Sequence, residues 1–547
     1  MKLNPHTGTL MQAYLPAFDP NGLAGLTTRS GALRWMGFSG LVTQPVTAYR
    51  RDSEDGPYSP LSHTRVDHGL GGEARLVEVN AHLAEMGIAP IGDFVPNHLD
   101  EQSQEVRDTL RRGVVDRSWF RVTRDREVME TWRGKTNIFG LDSTRWEPGL
   151  EAWRASTFYG SQWELDVEHP AVIAHLKSAA ATMVGPWAYQ GLRWDAIAYA
   201  AGKRLTTRTG EHEPAAFELL RQVRAHLEAR AGGDAPLMLA EAGGFTRDIA
   251  RWLGPGLAHA AYDFTWMPTL VHSLDEGDWT PLRSYWGSLP STEGRLLRFL
   301  GSHDERQLRY VPFKDALIAR HGGPGGNHVC FGGNGLTLPV RNLVPSEEAF
   351  VMLMALTVLS DGLPLVYQTD MGGWGGDPDA NAHDVRDPNR CLVPWISAAA
   401  GGWTRATARG YRPEPEYRRR SVRRQMIDER SVMSRLAQLI HLRSHHPAFD
   451  ATPQVRIASS SRKVEAFARV GGERALLVLA NASGEHEAAE LDLRRWGGWR
   501  ARRLGMPSTE ADRTTWSPER FLPVGRRHEV RLRPYGGEVI ELAPPGV

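Results

Sequence analysis

Eight short apolar runs, separated by longer stretches of helical spacing, constrain this chain more than any other feature. They occupy residues 10–15, 39–46, 88–95, 191–197, 237–241, 259–264, 296–301 and 363–367. Strands that alternate with helices pair in parallel, because each helical crossover returns the chain in the same direction. Eight such strands are the number that closes a barrel, so the expected fold is α/β, a (β/α)8 barrel. One crossover shows the logic: Leu76, Val79, Leu83 and Met86 recur at helical spacing, and Gly87 stands where a C-terminal cap belongs.

Two stretches break the alternation. From 99 to 165 the chain is polar, Arg- and Trp-rich and poorly periodic, which reads as an insertion after the third strand. Between Glu305 and Glu347 lies a second, with the run HGGPGGNHVCFGGNG. No Gly-Lys-Ser/Thr follows that run and no strand feeds it, so it reads as a plain flexible loop rather than a phosphate cradle. After 451 the period changes to two: VEAFARV, a GG turn and ERALLVLAN form a hairpin, and GGEVIEL closes an all-β module. The expected order is barrel over 1–98, inserted domain B over 99–165, barrel again over 166–450, and a C-terminal β-sandwich over 451–547. His445 and His446 end the helix before Pro447 and are read as favouring its C-terminus, not as metal ligands.

Charge and composition narrow the function classes. Lys+Arg 65 against Asp+Glu 64 gives no basic excess, so no nucleic-acid partner is expected. Two cysteines, Cys330 and Cys391, build no disulfide framework. No run reaches the roughly 20 apolar residues of a membrane span, and the first residues lack the basic-then-apolar pattern of a leader. The expectation is a cytoplasmic protein without membrane contact, of unassigned oligomeric state.

Chemistry in such a barrel sits where the strands end at their C-terminal side. DFVPNH places Asp93, Asn97 and His98 there; GLRWDAIAY places Arg193 and Asp195; LAEA places Glu241; FLGSHDE places His303 and Asp304. Three acids from three strands converging on one mouth are costly unless paired or used, and with Arg193, His98 and His303 beside them they point to a catalytic centre. Glycoside cleavage needs such a pair: one carboxylate to attack the anomeric carbon, one protonated carboxyl for the leaving oxygen. Arg193, two residues before Asp195, shares its strand face and favours the ionised acid. Glu241 lies among Leu239, Ala240 and Ala242 with no cation in its own strand, which suits a proton donor.

DFVPNH, GLRWDAIAY, the Glu of LAEA and FLGSHD resemble, in order and spacing, four conserved regions of the α-amylase family. STFYGSQWELD resembles the stretch that follows the family's inserted domain. The resemblance implies Asp195 as nucleophile, Glu241 as acid/base and Asp304 as transition-state stabiliser, with Arg193, His98 and His303 binding the glucose at the cleavage point. Asp55-Gly56-Pro57-Tyr58 resembles an Asp-x-x-Tyr pocket lining of the amylosucrase, sucrose hydrolase and oligosaccharide α-glucosidase side. Its Asp55 would meet Arg386 of HDVRDPNR beside Tyr58 and block one end of the cleft. Many α-amylases carry Lys-His shortly after the nucleophile; Ala198-Tyr199 stands here, so neither a metal nor any other cofactor is expected. The implied substrate is a small oligosaccharide or disaccharide. The implied reaction is retaining hydrolysis of a short α-glucoside through a glucosyl-Asp intermediate. The alternative is glucosyl transfer or isomerisation among sucrose, trehalose and maltose, and behind it an endo-acting α-amylase or a family member that has lost its chemistry.

Overall fold

The computed structural model describes the chain except residues 1–3, 136–141, 234, 291, 293, 305, 377–385, 404–409, 450–453, 505–521, 524, 526 and 546–547. Eight strands, β1 Leu10–Ala13, β2 Gly40–Thr43, β3 Ala89–Phe94, β4 Gly191–Trp194, β5 Leu237–Ala240, β6 Ala260–Tyr262, β7 Arg295–Arg298 and β8 Leu363–Tyr367, close into one barrel. Every neighbouring pair is parallel and consecutive in sequence, β8 pairing with β1. All eight apolar runs thus become barrel strands, although the ladders stop short of the apolar runs. The barrel mouth is buried as well, so hydrophobicity continues past the last strand hydrogen bond.

The period of two along each strand positions the site. Leu10, Val42, Ile91, Leu239, Leu297, Leu363 and Leu365 form one buried cluster inside the barrel, a packed core and not a pore. Two residues further along β1, β3 and β5 the same inward face carries Gln12, Asp93 and Glu241. On β4 it carries Arg193 and then Asp195. The apolar lower layer therefore sets the height at which the polar upper layer begins. The crossover helix Gly72–Glu85 buries Leu76, Val79 and Leu83, and Gly87 takes the left-handed conformation (φ 80) that ends it.

The poorly periodic insertion between 99 and 165 contains short strands. Strand His98–Asp100 pairs antiparallel with Gln162–Glu164, so the excursion leaves and returns side by side. Between them Val122–Thr123, Ala152–Ala155 and Thr144–Glu147 form a three-stranded sheet. The Gly-rich run needs a larger correction: it is not a plain loop. Val329–Cys330 and Gly335–Leu336 pair as a hairpin, joined by Arg306–Gln307 into a small sheet. Two-residue strands are too short for alternation to reveal, and Gly332 and Gly333 with positive φ make the turn between them.

At the C-terminus a six-stranded sheet faces the two-stranded pair Glu487–Asp492 and Arg527–Leu532 across a core of its own. Within strand Val464–Gly471, Ala466 and Ala468 enter that core while Phe467 packs on the barrel side. His446 caps the helix end, and its Nε2 also lies 3.3 Å from Glu541 of the last strand. No helix among the described residues is long and apolar enough to cross a membrane.

Candidate active site

One side chain organises the barrel mouth. Arg193 on β4 stands in register with Asp93 on β3 and Leu239 on β5. Its Nη1 donates to Asp93 and, at 2.9 Å, to Asp195 Oδ1, while Nη2 pairs with Glu241 Oε1 at 2.7 Å. Beyond Trp194 the backbone still follows the sheet, the Asp195 amide bonding the Phe94 carbonyl and that of Glu241 the Trp194 carbonyl. Ala196 then turns left-handed (φ 45), which costs a non-glycine residue about 1–2 kcal/mol. That turn aims the Ala196 amide at Glu241 Oε2, 2.9 Å away. Both oxygens of Glu241 are thereby fixed beside Asp195.

A single guanidinium shared by three carboxylates corrects the expected charge assignment. The sequence pairs Arg193 with Asp195 and shows no cation in the strand of Glu241; alternation along one strand does not see a partner one strand away. Burial pushes the Asp195 carboxyl well up, Arg193 opposing and Glu241, Asp93 and Asp304 adding to it. Burial likewise raises Glu241, against Arg193 and the Ala196 amide and with Asp304. Asp93, also buried, is pushed up to about 7 despite Arg193 and the hydroxyl of Tyr58, which donates to its Oδ2 at 2.8 Å. The cluster thus retains protons at a pH where exposed carboxylates have lost theirs. Arg193 stays charged: burial works against it, but Asp93 and Glu241 lift its pKa well above the ordinary value.

Asp304 behaves in the opposite sense. Burial alone would raise it, yet His303, Arg386, Arg390 and Arg193 bring it down to about 2. His303 Nε2 lies 3.2 Å from Asp304 Oδ2, and Arg386 Nη1 donates to Oδ1 at 3.3 Å. The His303 ring is held between two tyrosines, stacking on Tyr58 at 4.9 Å and Tyr14 at 5.7 Å between centroids. Burial lowers its pKa to about 3, so it meets a ligand as a neutral ring.

Asp55 and Arg386, 331 positions apart, do meet: Arg386 Nη2 donates to Asp55 Oδ1 at 2.7 Å. Gln162 Nε2 donates to Asp55 Oδ2 at 2.8 Å, and Arg386 also reaches the Tyr159 hydroxyl at 3.2 Å. Both partners are almost fully buried. His98 lies in the same pocket, its Nε2 2.8 Å from the Tyr58 carbonyl and its Nδ1 3.3 Å from the Asn97 amide nitrogen. Both of its ring nitrogens are therefore engaged within the protein.

The structure gathers all nine residues to which the sequence reading gives a catalytic or binding role. Asp55, Tyr58, His98, Asp195, Glu241, His303, Asp304 and Arg386 line one pocket, and Arg193 lies beneath its carboxylates. Phe158, Tyr159, Tyr199, Arg309 and Phe331 also belong to the wall. Phe158 and Tyr159 fall inside the block STFYGSQWELD, so a signal existed for them. Phe331 comes from the Gly-rich run, and nothing in the sequence marks Arg309.

Carboxylates fixed over the mouth of a closed eight-stranded α/β barrel define an enzyme of the glycoside-processing kind. A family profile described as "Alpha amylase, catalytic domain" matches residues 19–310, more than half of the chain. The chain belongs to the α-amylase family of glycoside hydrolases and transglycosylases. A trehalose synthase of Thermus thermophilus is 24% identical over 478 residues, 84% of this chain and 47% of that protein. The chain thus spans about half the length of that relative. A trehalose synthase of Pimelobacter sp. (strain R48) is 24% identical over 518 residues, 88% of this chain and 87% of that protein. Among solved structures, trehalose-6-phosphate hydrolase from Bacillus licheniformis superposes with a TM-score of 0.73 at 16% identity, covering 99% of this chain and 100% of that one. That likeness is one of fold.

Proposed function

We propose that the chain takes one glucosyl unit from a short α-glucoside by a retaining mechanism. The observation that carries this reading is the shared Arg193 fork, which holds Asp195 and Glu241 on adjacent nitrogens. Such closeness suits the ~5 Å pair of a retaining enzyme, which leaves no room for a water between the carboxylates, as the wider spacing of an inverting one does. Asp195 attacks the anomeric carbon and forms the glucosyl ester while Glu241 delivers its proton to the departing oxygen. Asp304, held ionised, faces the positive charge that develops on the sugar ring. Glu241 then takes a proton from water or from an accepting sugar, whose oxygen displaces Asp195. Hydrolysis and transfer differ only in that acceptor. The wall of Tyr199, Arg309 and Phe331 gives a second sugar something to rest on, whether it leaves or accepts, and two relatives are trehalose synthases.

The Asp55–Arg386 pair closes the pocket at the sugar's non-reducing side and addresses its hydroxyls. Incubation with sucrose, trehalose, maltose, isomaltose and maltodextrin, followed by product analysis, tests the reading. Short α-glucosides should release or transfer single glucose units, and maltodextrin should shorten from one end only. Early appearance of internal cleavage fragments would establish an endo-acting enzyme instead. Asp55→Asn is expected to reduce kcat/KM on disaccharides about 10- to 100-fold, the ~1.5–3 kcal/mol of a charge-assisted hydrogen bond. Unchanged disaccharide kinetics would separate the pair from substrate recognition.

A further expectation concerns calcium. Tyr199 stands where many relatives carry His and accepts from Arg309 at 3.1 Å, and the Asn97 amide faces His98. Among the described residues no group of three or more His, Cys, Asp or Glu is placed to hold a metal ion. EDTA should leave both Tm and activity unchanged. A drop of several degrees reversed by calcium would reveal a site built from other oxygens.

A further inference from the structure

Tyr199 and Arg309 line the catalytic pocket and also a second, larger cleft in which Asp55 and Arg386 take no part. This cleft is unevenly charged. Arg121, Lys135, Arg208, Arg251 and Arg309 line it, against Glu211 and Asp248. Arg121 is committed to a buried ion pair with Glu164. Arg309 lies 3.5 Å from Glu211 and donates to the Tyr199 hydroxyl. Lys135, Arg208 and Arg251 are left over.

Lys135 is the informative one. It is half-buried, and its Nζ donates to the Thr207 carbonyl at 2.7 Å, a contact that holds the ammonium without neutralising it. The carboxylate acting on it, Glu213, is already saturated by the amides and hydroxyls of Thr206 and Thr207. The cation Arg121 also acts on it. Among the described residues neither Lys135 nor Arg208 has a carboxylate in ion-pair reach. Arg251 meets a ring, its guanidinium lying 4.8 Å from the Phe217 centroid. Like charges facing one cleft repel unless an anion enters between them, and such a cleft concentrates anions.

We propose that this cleft is the subsite for the sugar on the far side of the scissile bond, and that this sugar carries a phosphate. The assignment rests on the reading of the pocket as an α-glucoside site and names the chemistry of the second sugar. A phosphate monoester brings a charge of about −1.5 to −2 at neutral pH, against −1 for a uronate. It matches the surplus of cations more closely.

Inhibition of p-nitrophenyl α-glucoside hydrolysis by glucose, glucuronate and glucose 6-phosphate tests this. Glucose 6-phosphate should inhibit at least tenfold more tightly than glucose at low salt, with glucuronate between them. The advantage should shrink as ionic strength rises. Lys135→Gln and Arg208→Gln should each lower the ratio of the glucose to the glucose 6-phosphate inhibition constant severalfold, a ratio that loss of stability alone would not move. Equal inhibition by the two sugars, or a ratio untouched by both substitutions, would overturn the subsite. Glucuronate binding as tightly as glucose 6-phosphate would overturn the phosphate. If the aryl glucoside is not turned over, the α-glucoside reading fails instead. Calorimetric titration with glucose and glucose 6-phosphate then reads the cleft alone, and equal affinities there sink the anion site.

Discussion

Asn in place of Asp195 should lower kcat by at least about a thousandfold, ~4 kcal/mol of barrier, with Tm unchanged or slightly raised. The two halves of this result have separate causes. The amide is nearly the shape of the carboxylate but cannot form the glucosyl ester, so the chemical step is lost. Stability is spared because burial, and after it the charges of Glu241, Asp93 and Asp304, already push the Asp195 carboxyl up. Removing one negative charge relieves that repulsion, and Arg193 keeps Asp93 and Glu241 as partners. A purely structural Asp195 would give the reverse, a lower Tm with turnover within tenfold of the parent. Mass analysis of the parent after a 2-fluoro-glucosyl substrate should show the sugar on the peptide bearing Asp195.

The parts of this architecture visible in the sequence are those set by burial along one strand. Parallel strands covered on both faces must be apolar nearly throughout, so the eight runs stood out, and the acids at their ends stood out against them. The pairing of Asp55 with Arg386 was reached only through resemblance, since nothing local joins positions so far apart. What remained hidden depends on sheet order. That Asp93 and Glu241 flank Arg193 follows from β3 and β5 flanking β4, which no periodicity within a strand can report. The stack of Tyr14, His303 and Tyr58 likewise joins β1, β7 and an early loop into one unit. Phe331 was missed because its strands are two residues long and glycine-flanked.

The neutral state of His303 and the ionised state of Asp304 make the pocket asymmetric in charge. Three carboxylates on Arg193 tend to hold protons, while the fourth, facing Arg386, Arg390 and His303, does not. Pairs whose environments pull their pKa values apart mark a division of labour between acid and anion. The division here puts the permanent negative charge at Asp304 and the movable proton on the Asp195–Glu241 side.

Glu241→Gln tests where that proton is used. It should lower kcat/KM on a sugar α-glucoside about 10²- to 10⁴-fold, the usual worth of a positioned acid. The loss should be far smaller on dinitrophenyl α-glucoside, whose leaving group departs as a stable anion and needs no proton. The pH profile carries the sign. Burial raises the Glu241 carboxyl, so the parent's acid-catalysed activity is present below the raised pKa and falls as pH rises through it. The glutamine variant has no such proton, and its profile should lose that alkaline limb. With the activated substrate the first step survives while the second lacks its base, so the glucosyl ester on Asp195 accumulates. Azide, a nucleophile that needs no deprotonation, should then restore turnover and yield α-glucosyl azide, since it enters on the face the leaving group vacated. Formation of the β-anomer would mean that azide had replaced a missing nucleophile, and the roles of Glu241 and Asp195 would have to be exchanged.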